Sequence, residues 1–487
     1  MLRLARSAAL AAAPNSLRFL FVASALALNA ITSVEPTHAS PPPDDANAKR
    51  PNLLVLVVDD LRWNALGCEG DPIVRTPAID ALAARGARFA NSFCTTSICA
   101  TSRATILTGQ YARRHGIHDF QSTLSAAAFA KTFPALLRAA GYRTGFVGKW
   151  GLGGPLPARE YDVFQGFAGQ GRYYEEGRKE HLTRVLESQS LAFIDSATPD
   201  TPFCLQVSFK AAHCQDGDPW PFQPDRKYAS LYADETVPPP PTAKDEIWAR
   251  LPAFLRESEA RRRWAVRFAN PELRQKSVKD YYRLITGVDD ALAAMLARLE
   301  ARGLRDRTIV VFTADNGFYL GDRGLAGKWF PHEESIRVPL LIEDPRASRE
   351  RRGVTIDRMA LTIDLAPTLL DFAGVEVPRT MQGRSLTPLV RGEAPEWRTD
   401  WFYEHLFAHQ SIPRSEAVRG ERWKYFNYID MPAPTGADGK ALGESWEELY
   451  DLEHDPNELV DLARDPAHAV RLDAMRTRWK ALREAAR

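Results

Sequence analysis

Cysteine is scarce in this chain: five in 487 residues are too few to frame a fold with disulfides, and an odd number leaves one thiol over in any complete pairing. A charge excess of one sign is missing too. With 63 basic against 62 acidic residues there is no global field to attract nucleic acid or a membrane surface, so any anion specificity must be local. The apolar run near the start, residues 19–31, falls short of the ~20 residues a spanning helix needs, which predicts no stable membrane insertion. No cysteine precedes Cys68, so a lipid-modified cysteine at the start is excluded.

What is present begins with an address. Arg3, Arg6 and Arg18 precede the apolar run, and small residues lie near Ala39, the pattern of an export signal over residues 1–39. The expected location is therefore secreted or periplasmic. Pro41, Pro42, Pro43, Asp44 and Asp45 make a stiff polar linker over residues 40–50. The remaining length exceeds what one core comfortably serves, so a large domain over 51–380 and a smaller one over 381–487 are expected. In an oxidising compartment, if Cys99 is consumed by other chemistry, Cys68, Cys94, Cys204 and Cys214 can form up to two bridges; the alternative is five reduced, buried thiols.

Residues 53–58 form a continuous apolar run of strand length, and residues 79–88 carry the spacing of an amphipathic helix. Residues 203–209 and 308–313 also read as buried strands, and 281–302 as a long helix leading into the latter. Alternating strands and helices predict an α/β fold: a mixed, mainly parallel sheet sandwiched by helices, with ligands at the carboxyl ends of its strands. Two of those ends carry acids. The first strand runs into Asp59 and Asp60, and the strand at 308–313 runs into Asp315 and Asn316. Three carboxylates and an amide oxygen make an oxygen-only cage, which suits Ca2+, or less well Mg2+, better than zinc.

Residues 97–109, SICATSRATILTG, resemble the first signature of the type I (formylglycine-dependent) sulfatase family, through Cys99, Ser102, Arg103, Ile106, Leu107, Thr108 and Gly109. The departure is Thr101, where proline or alanine is usual. Residues 141–150, GYRTGFVGKW, resemble the second signature, with Lys149 at the place of the family's active-site lysine; the next residue is Gly151, where histidine is common. His213 in KAAHCQDG lies where the family has its general acid, and Lys328 before HEESIRVPLL where it has a sulfate-binding lysine. Residues 362–374 and 448–463 are also similar to sulfatases and read as scaffold.

The resemblance implies an alkaline-phosphatase-like fold with a smaller carboxyl-terminal α+β domain, a short antiparallel sheet with a terminal helix. It further implies hydrolysis of sulfate esters, with sulfated carbohydrates as the expected substrates, and a metal held by Asp59, Asp60, Asp315, Asn316 and the modified Cys99. Cys99 would be converted to formylglycine by a formylglycine-generating enzyme. One hydroxyl of its hydrate would attack sulfur, and loss of a proton from the other would expel sulfate. Arg103 and Lys149 would favour the alkoxide, Lys328 would bind sulfate, and His213 would protonate the leaving alcohol. The charges agree: Asp59, Asp60 and Asp315 balance Arg103, Lys149 and Lys328, so a divalent cation leaves about two positive charges for a sulfate monoanion.

With histidine absent at Gly151, the base for sulfate release is expected to be His118, His115 or Asp315, in that order. The competing readings are a phosphonate or phosphodiester hydrolase of the same superfamily, a non-catalytic binder of sulfated glycans, and a cysteine hydrolase, whose thiolate three carboxylates would oppose. Residues 155–190, 214–280 and 401–440 read as insertions lining the substrate entrance, with Tyr173, Tyr174, Trp220, His405, Arg414 and Arg419 as candidates.

Overall fold

Asn52–Val58 (β1) is seven residues without a charge, rich in branched side chains and buried on both faces, the composition of a central parallel strand. The computed structural model describes residues 50–218, 220–435, 441 and 443–487. The expected signal over 1–39 and the linker up to residue 49 lie outside them. The other strands of the main sheet are Ala87–Phe89 (β2), Arg143–Lys149 (β3), Val163–Phe167 (β4), Phe203–Ser208 (β5), Thr308–Ala314 (β6), Leu340–Glu343 (β7) and Val354–Ile356 (β8). Their order is β8-β2-β7-β6-β1-β5-β3-β4. Only β7 runs against the rest, pairing antiparallel with both β6 and β2, so the sheet is mixed and mainly parallel, as expected.

Alternate residues of β1 enter two cores. Leu54, Leu56 and Val58 join the helices Pro77–Arg85 (α1), Leu182–Asp195 (α3) and Pro271–Ala301 (α4). Leu53, Val55 and Val57 join Cys99–Thr108 (α2) and Leu365–Phe372 (α5) on the other face. Helices thus cover both faces, which is what a strand without polar alternation requires.

Two helix boundaries differ from the sequence reading, each for a local reason. α1 ends at Arg85, because Gly86 closes it and Ala87–Phe89 pairs into the sheet edge beside β7 and β8. α4 starts ten residues before the expected 281. The Asn270 side chain caps it by accepting from the Leu273 N–H, and Pro271 opens its first turn.

A separate antiparallel sheet follows, ordered Asp400–His405 (β9), Ser415–Gly420 (β10), Trp423–Tyr428 (β11) and Trp446–Asp451 (β12). The helix Ala469–Ala485 (α6) packs Leu472 and Met475 on Val418, Tyr425 and Leu449. Trp401, Tyr403, Ala417 and Phe426 face the main core. This corrects the reading of 401–440 as an insertion, since three strands fall within or across it. Buried on both faces, they lack the polar alternation that marks a half-exposed strand. All five cysteines are free, four of them buried and Cys68 half-buried, so the alternative of five reduced, buried thiols fits except at Cys68. Among the described residues no helix is long and apolar enough to cross a membrane.

Candidate functional site

Because β1 and β6 are parallel neighbours with Val58 opposite Ala314, Asp59 and Asp60 leave the sheet beside Asp315 and Asn316. Carboxylate oxygens of Asp59, Asp60 and Asp315 lie within 4.8 Å of one another, and all four side chains are buried. Asp60 takes a left-handed backbone, φ 57°, which a non-glycine residue adopts at a cost of about 1–3 kcal/mol unless its surroundings hold it. Here the Tyr281 hydroxyl of α4 donates to Asp60 O at 2.7 Å, and Asp60 N donates to Asp315 Oδ1 at 3.2 Å. Asp59 Oδ1 and Asn316 Oδ1 are buried without a hydrogen-bond partner. Such orphaned acceptors amid carboxylates fit a hard divalent cation.

Burial raises the proton affinity of Asp315, to about 6, and the neighbouring Asp59 charge adds to the rise. Asp60 is raised for the same two reasons, although Lys328 works against them. Burial opposes ionisation of Asp59 as well, but the Lys149 and Arg103 charges around it hold it well below the usual carboxylate range. The acids therefore differ by which cation each one meets.

Cys99 is the first residue of α2 and is 1% exposed. Its sulfur lies within 4.8 Å of ligand atoms of Asp59 and His213, and Lys328 Nζ stands 3.7 Å from it. One turn on, Arg103 stitches strand ends together. Its Nε donates to Asp315 Oδ2 at 2.9 Å, its Nη1 donates to Lys149 O at 2.8 Å and to Ser208 Oγ, and its Nη2 lies 3.4 Å from Asp59 Oδ2. Lys149, the last residue of β3, pairs with Asp59 and donates to Gln170 Oε1 at 2.6 Å. Lys328 pairs with Asp60.

His213 follows β5. Because a carbonyl only accepts, the 2.6 Å contact from Nδ1 to Cys214 O places the ring proton on Nδ1 and leaves Nε2 3.6 Å from Asp60 Oδ2. Burial pushes this histidine well below its ordinary range. The fold thus brings all nine candidates from the sequence, Asp59, Asp60, Cys99, Arg103, Lys149, His213, Asp315, Asn316 and Lys328, into one buried cluster.

Gly151 has a structural reason to differ from histidine. Its φ is +85°, and a Cβ there would stand 2.5 Å from Arg103 Cδ. Gly151→Ala is expected to cost about 1–3 kcal/mol and to lower activity by displacing Arg103; thermal unfolding and kcat/KM measured together check this. Unchanged values in both would show that the Arg103 chain moves aside freely.

The expected replacement bases fare differently. His115 has both nitrogens engaged, Nε2 with Thr105 Oγ1 and Nδ1 with the Ile117 N–H. Thr105 lies six residues along α2 from Cys99, about 9 Å at 1.5 Å per residue, so His115 serves the helix rather than the nucleophile end. His118 sits with Asp119 and Arg113. Among the described residues, the titratable groups near Cys99 include Asp59, His213, Lys328 and Arg103.

Sequence reading missed Lys210, Gln170 and Ser208. Lys210 is buried, donates to Cys214 O at 3.3 Å, and is pulled down to about 8 by burial and by Lys149. Its signal was available, since it follows the apolar run of β5 directly. Gln170 carried none. Among the entrance candidates, Tyr173, His405 and Arg419 are corrections. Tyr173 is buried with its hydroxyl donating to His213 O at 2.6 Å, His405 is buried in β9, and Arg419 lies near Glu333. Their polar atoms are held by scaffold or enclosed by apolar packing. Trp220 is 54% exposed, Tyr174 is half-buried, and Arg414 pairs with Asp430 at the surface.

A family model described as Sulfatase matches residues 51–375, and a second, N-sulphoglucosamine sulphohydrolase, C-terminal, matches 321–485. An N-acetylglucosamine-6-O-sulfatase of Bacteroides thetaiotaomicron is 29% identical over 492 residues, covering 86% of this chain and 84% of that protein. The solved structure of BT4656 in complex with its substrate D-glucosamine-2-N,6-O-disulfate matches with TM-score 0.75 and 26% identity, over 90% of this chain and 98% of that one. A phosphonate monoester hydrolase of Agrobacterium radiobacter shares the fold, with TM-score 0.70 and 23% identity over 90% and 96% of the two chains.

Proposed function

Because the chain belongs to the sulfatase family, sulfuric ester hydrolases of the alkaline-phosphatase-like superfamily, we propose that it is an exported enzyme that removes sulfate from sulfated carbohydrates by way of formylglycine made from Cys99. The observation that carries this reading is the placement of Cys99. It sits at a helix N-terminus, within 4.8 Å of Asp59 and His213 and with Lys328 Nζ at 3.7 Å. An oxygen nucleophile at this place suits the oxygen donors Asp59, Asp60, Asp315 and Asn316 gathered beside it.

Asp59, Asp60, Asp315, Asn316 and the modified Cys99 would hold Ca2+, and the bound ion would supply positive charge for the sulfate. Formylglycine, as its hydrate, would supply the hydroxyl that attacks sulfur. The chain's own residues do the rest. Lys328 and Lys149 exchange part of their pairing with Asp60 and Asp59 for sulfate oxygens as charge grows there, which lowers the barrier most where it is highest. Arg103, fixed by several strand ends, holds Asp315 in place and favours the ionised nucleophile. His213 is neutral in the free site; a bound sulfate monoanion raises its proton affinity, and from Nε2 it passes a proton to the departing alcohol oxygen. Residues 51–380 would form the catalytic domain and 381–487 the smaller one, preceded by the signal over 1–39.

Paired assays on a sulfate monoester and a phosphodiester are the test, with kcat/KM expected to favour sulfate by at least about 100-fold. The intact mass of the peptide around Cys99, after expression with a maturation enzyme, should show the aldehyde. Unmodified Cys99 in natively produced protein would turn the reading toward a glycan binder, and preference for the phosphodiester toward a phosphonate or phosphodiester hydrolase.

A further inference from the structure

A cleft of about 610 Å³ opens beside the loop that carries His213, lined by Gln215, Asp216, Glu259, Arg262, Arg263 and Arg267. His213 belongs to two groupings. One of its ring nitrogens lies within 4.8 Å of ligand atoms of Asp59 and Cys99, and one lies equally close to Cys214 sulfur and an Asp216 carboxylate oxygen. Asp216 thus links the cleft to His213, the residue that meets the leaving alcohol.

Asp216 is fixed there. Arg267 Nη2 donates to it at 2.7 Å, Arg263 Nη1 lies 3.2 and 3.3 Å from its two oxygens, and Cys214 Sγ donates at 3.3 Å. Arg263 also donates from Nε to Glu259 at 2.8 Å, with its guanidinium 5.0 Å from the ring centre of Trp329, the neighbour of Lys328. The Asp216 side chain nevertheless stays 44% exposed and that of Arg263 25% exposed, so both reach the cleft. Arg267, 3% exposed, keeps Nη1 without a partner, and the buried Gln215 Oε1 has none either.

We propose that Asp216 and Arg263 are the specificity pair that grips the sugar ring bearing the scissile sulfate, through adjacent uncharged groups of that ring. The proposal rests on the hydrolase reading above. A rigid acceptor and a rigid donor side by side match neighbouring hydroxyls, each of which can donate and accept, and their mutual ion pair means little side-chain freedom is lost on binding. Charge selects the uncharged edge. Asp216, Asp218 and Glu259 cancel Arg262, Arg263 and Arg267 around the cleft, so a second anionic substituent finds no net field, while hydroxyl or acylamino groups find paired donors and acceptors. The unpartnered Arg267 Nη1 and Gln215 Oε1 belong to side chains that also line the cleft and add a further donor and acceptor there.

The test compares a sulfated monosaccharide with a small aryl sulfate that has no hydroxyls to grip. Arg263→Ala and the near-isosteric Asp216→Asn are expected to lower kcat/KM on the sugar sulfate at least about tenfold more than on the aryl sulfate, with a rise in KM for the sugar. Equal losses on both substrates would reduce the pair to a support for the His213 loop and overturn the proposal. So would equal retention. Should Arg263→Ala unfold, the asparagine variant carries the comparison, since it keeps the shape of the side chain. A wild-type protein inactive on every sulfate ester would sink the hydrolase reading instead, a separate outcome from a lost discrimination.

Discussion

Replacing Cys99 with alanine is expected to remove turnover, lowering kcat by on the order of 10⁴-fold or more, as deletion of a covalent nucleophile does elsewhere. Stability should barely change. The side chain is 1% exposed, but the change removes a single sulfur, and the cavity it leaves costs about 1 kcal/mol or less. Lys328 keeps Asp60 as its partner, so no buried cation is left alone. Turnover measured beside a thermal melt separates the two effects. A variant that folds and still hydrolyses sulfate esters would show that another group attacks sulfur and would remove the reason for placing formylglycine at this position.

Asp60→Ala should fail in a different way. Asp60 pairs with Lys328, and its Oδ1 accepts from Asn316 Nδ2 at 2.6 Å. Alanine leaves Lys328 buried with Asp59 Oδ1 at 3.9 Å among its remaining partners. Breaking a buried pair on one side costs about 3–5 kcal/mol, and a cation site that needs several oxygens loses one. Activity is expected to fall at least about 1,000-fold, with bound Ca2+ falling in parallel. A chelator gives the clearest comparison: it should lower the melting temperature of the wild type, because the ion binds only the folded state, and should leave the variant's almost where it was. Equal responses would mean that Asp60 is not a metal ligand.

The chemistry was legible in the sequence because it is spelled by short local strings, while its wrapping was not. Asp59, Asp60, Asp315 and Asn316 follow apolar runs whose length and composition mark central strands, and the convergence of parallel strand ends is a general rule. Cys99, Arg103, Lys149, His213 and Lys328 were read from resemblance, which local physics alone would not have supplied. The start of α4 was missed because its first turn is polar and only the cap at Asn270 announces it. The strands β9 to β11 were read as entrance loops because His405, Arg414 and Arg419 resemble sugar-binding residues by type. The burial of these strands depends on a partner surface more than 300 residues away in places, for example Ser97 N meeting the Tyr403 hydroxyl. Gln170 is of that kind too, since its contact with Lys149 exists only once β3 and β4 lie side by side.

The left-handed turn at Asp60 bears on the order of assembly. Its carbonyl is held by Tyr281, 221 positions later in the chain, so the turn has no local means of holding its shape. A chain that emerges from its amino end has Asp60 synthesised long before α4 exists to dock. Contacts of such separation close late, because chain entropy is lost before the contact repays it. Until α4 docks, the Asp60 turn lacks the Tyr281 hydroxyl that holds its carbonyl, so this residue takes its final place beside Asp315 late. The acidic cluster is thereby completed after the strands that carry it, and a change that slows docking of α4 is expected to delay formation of the cation site more than formation of β1.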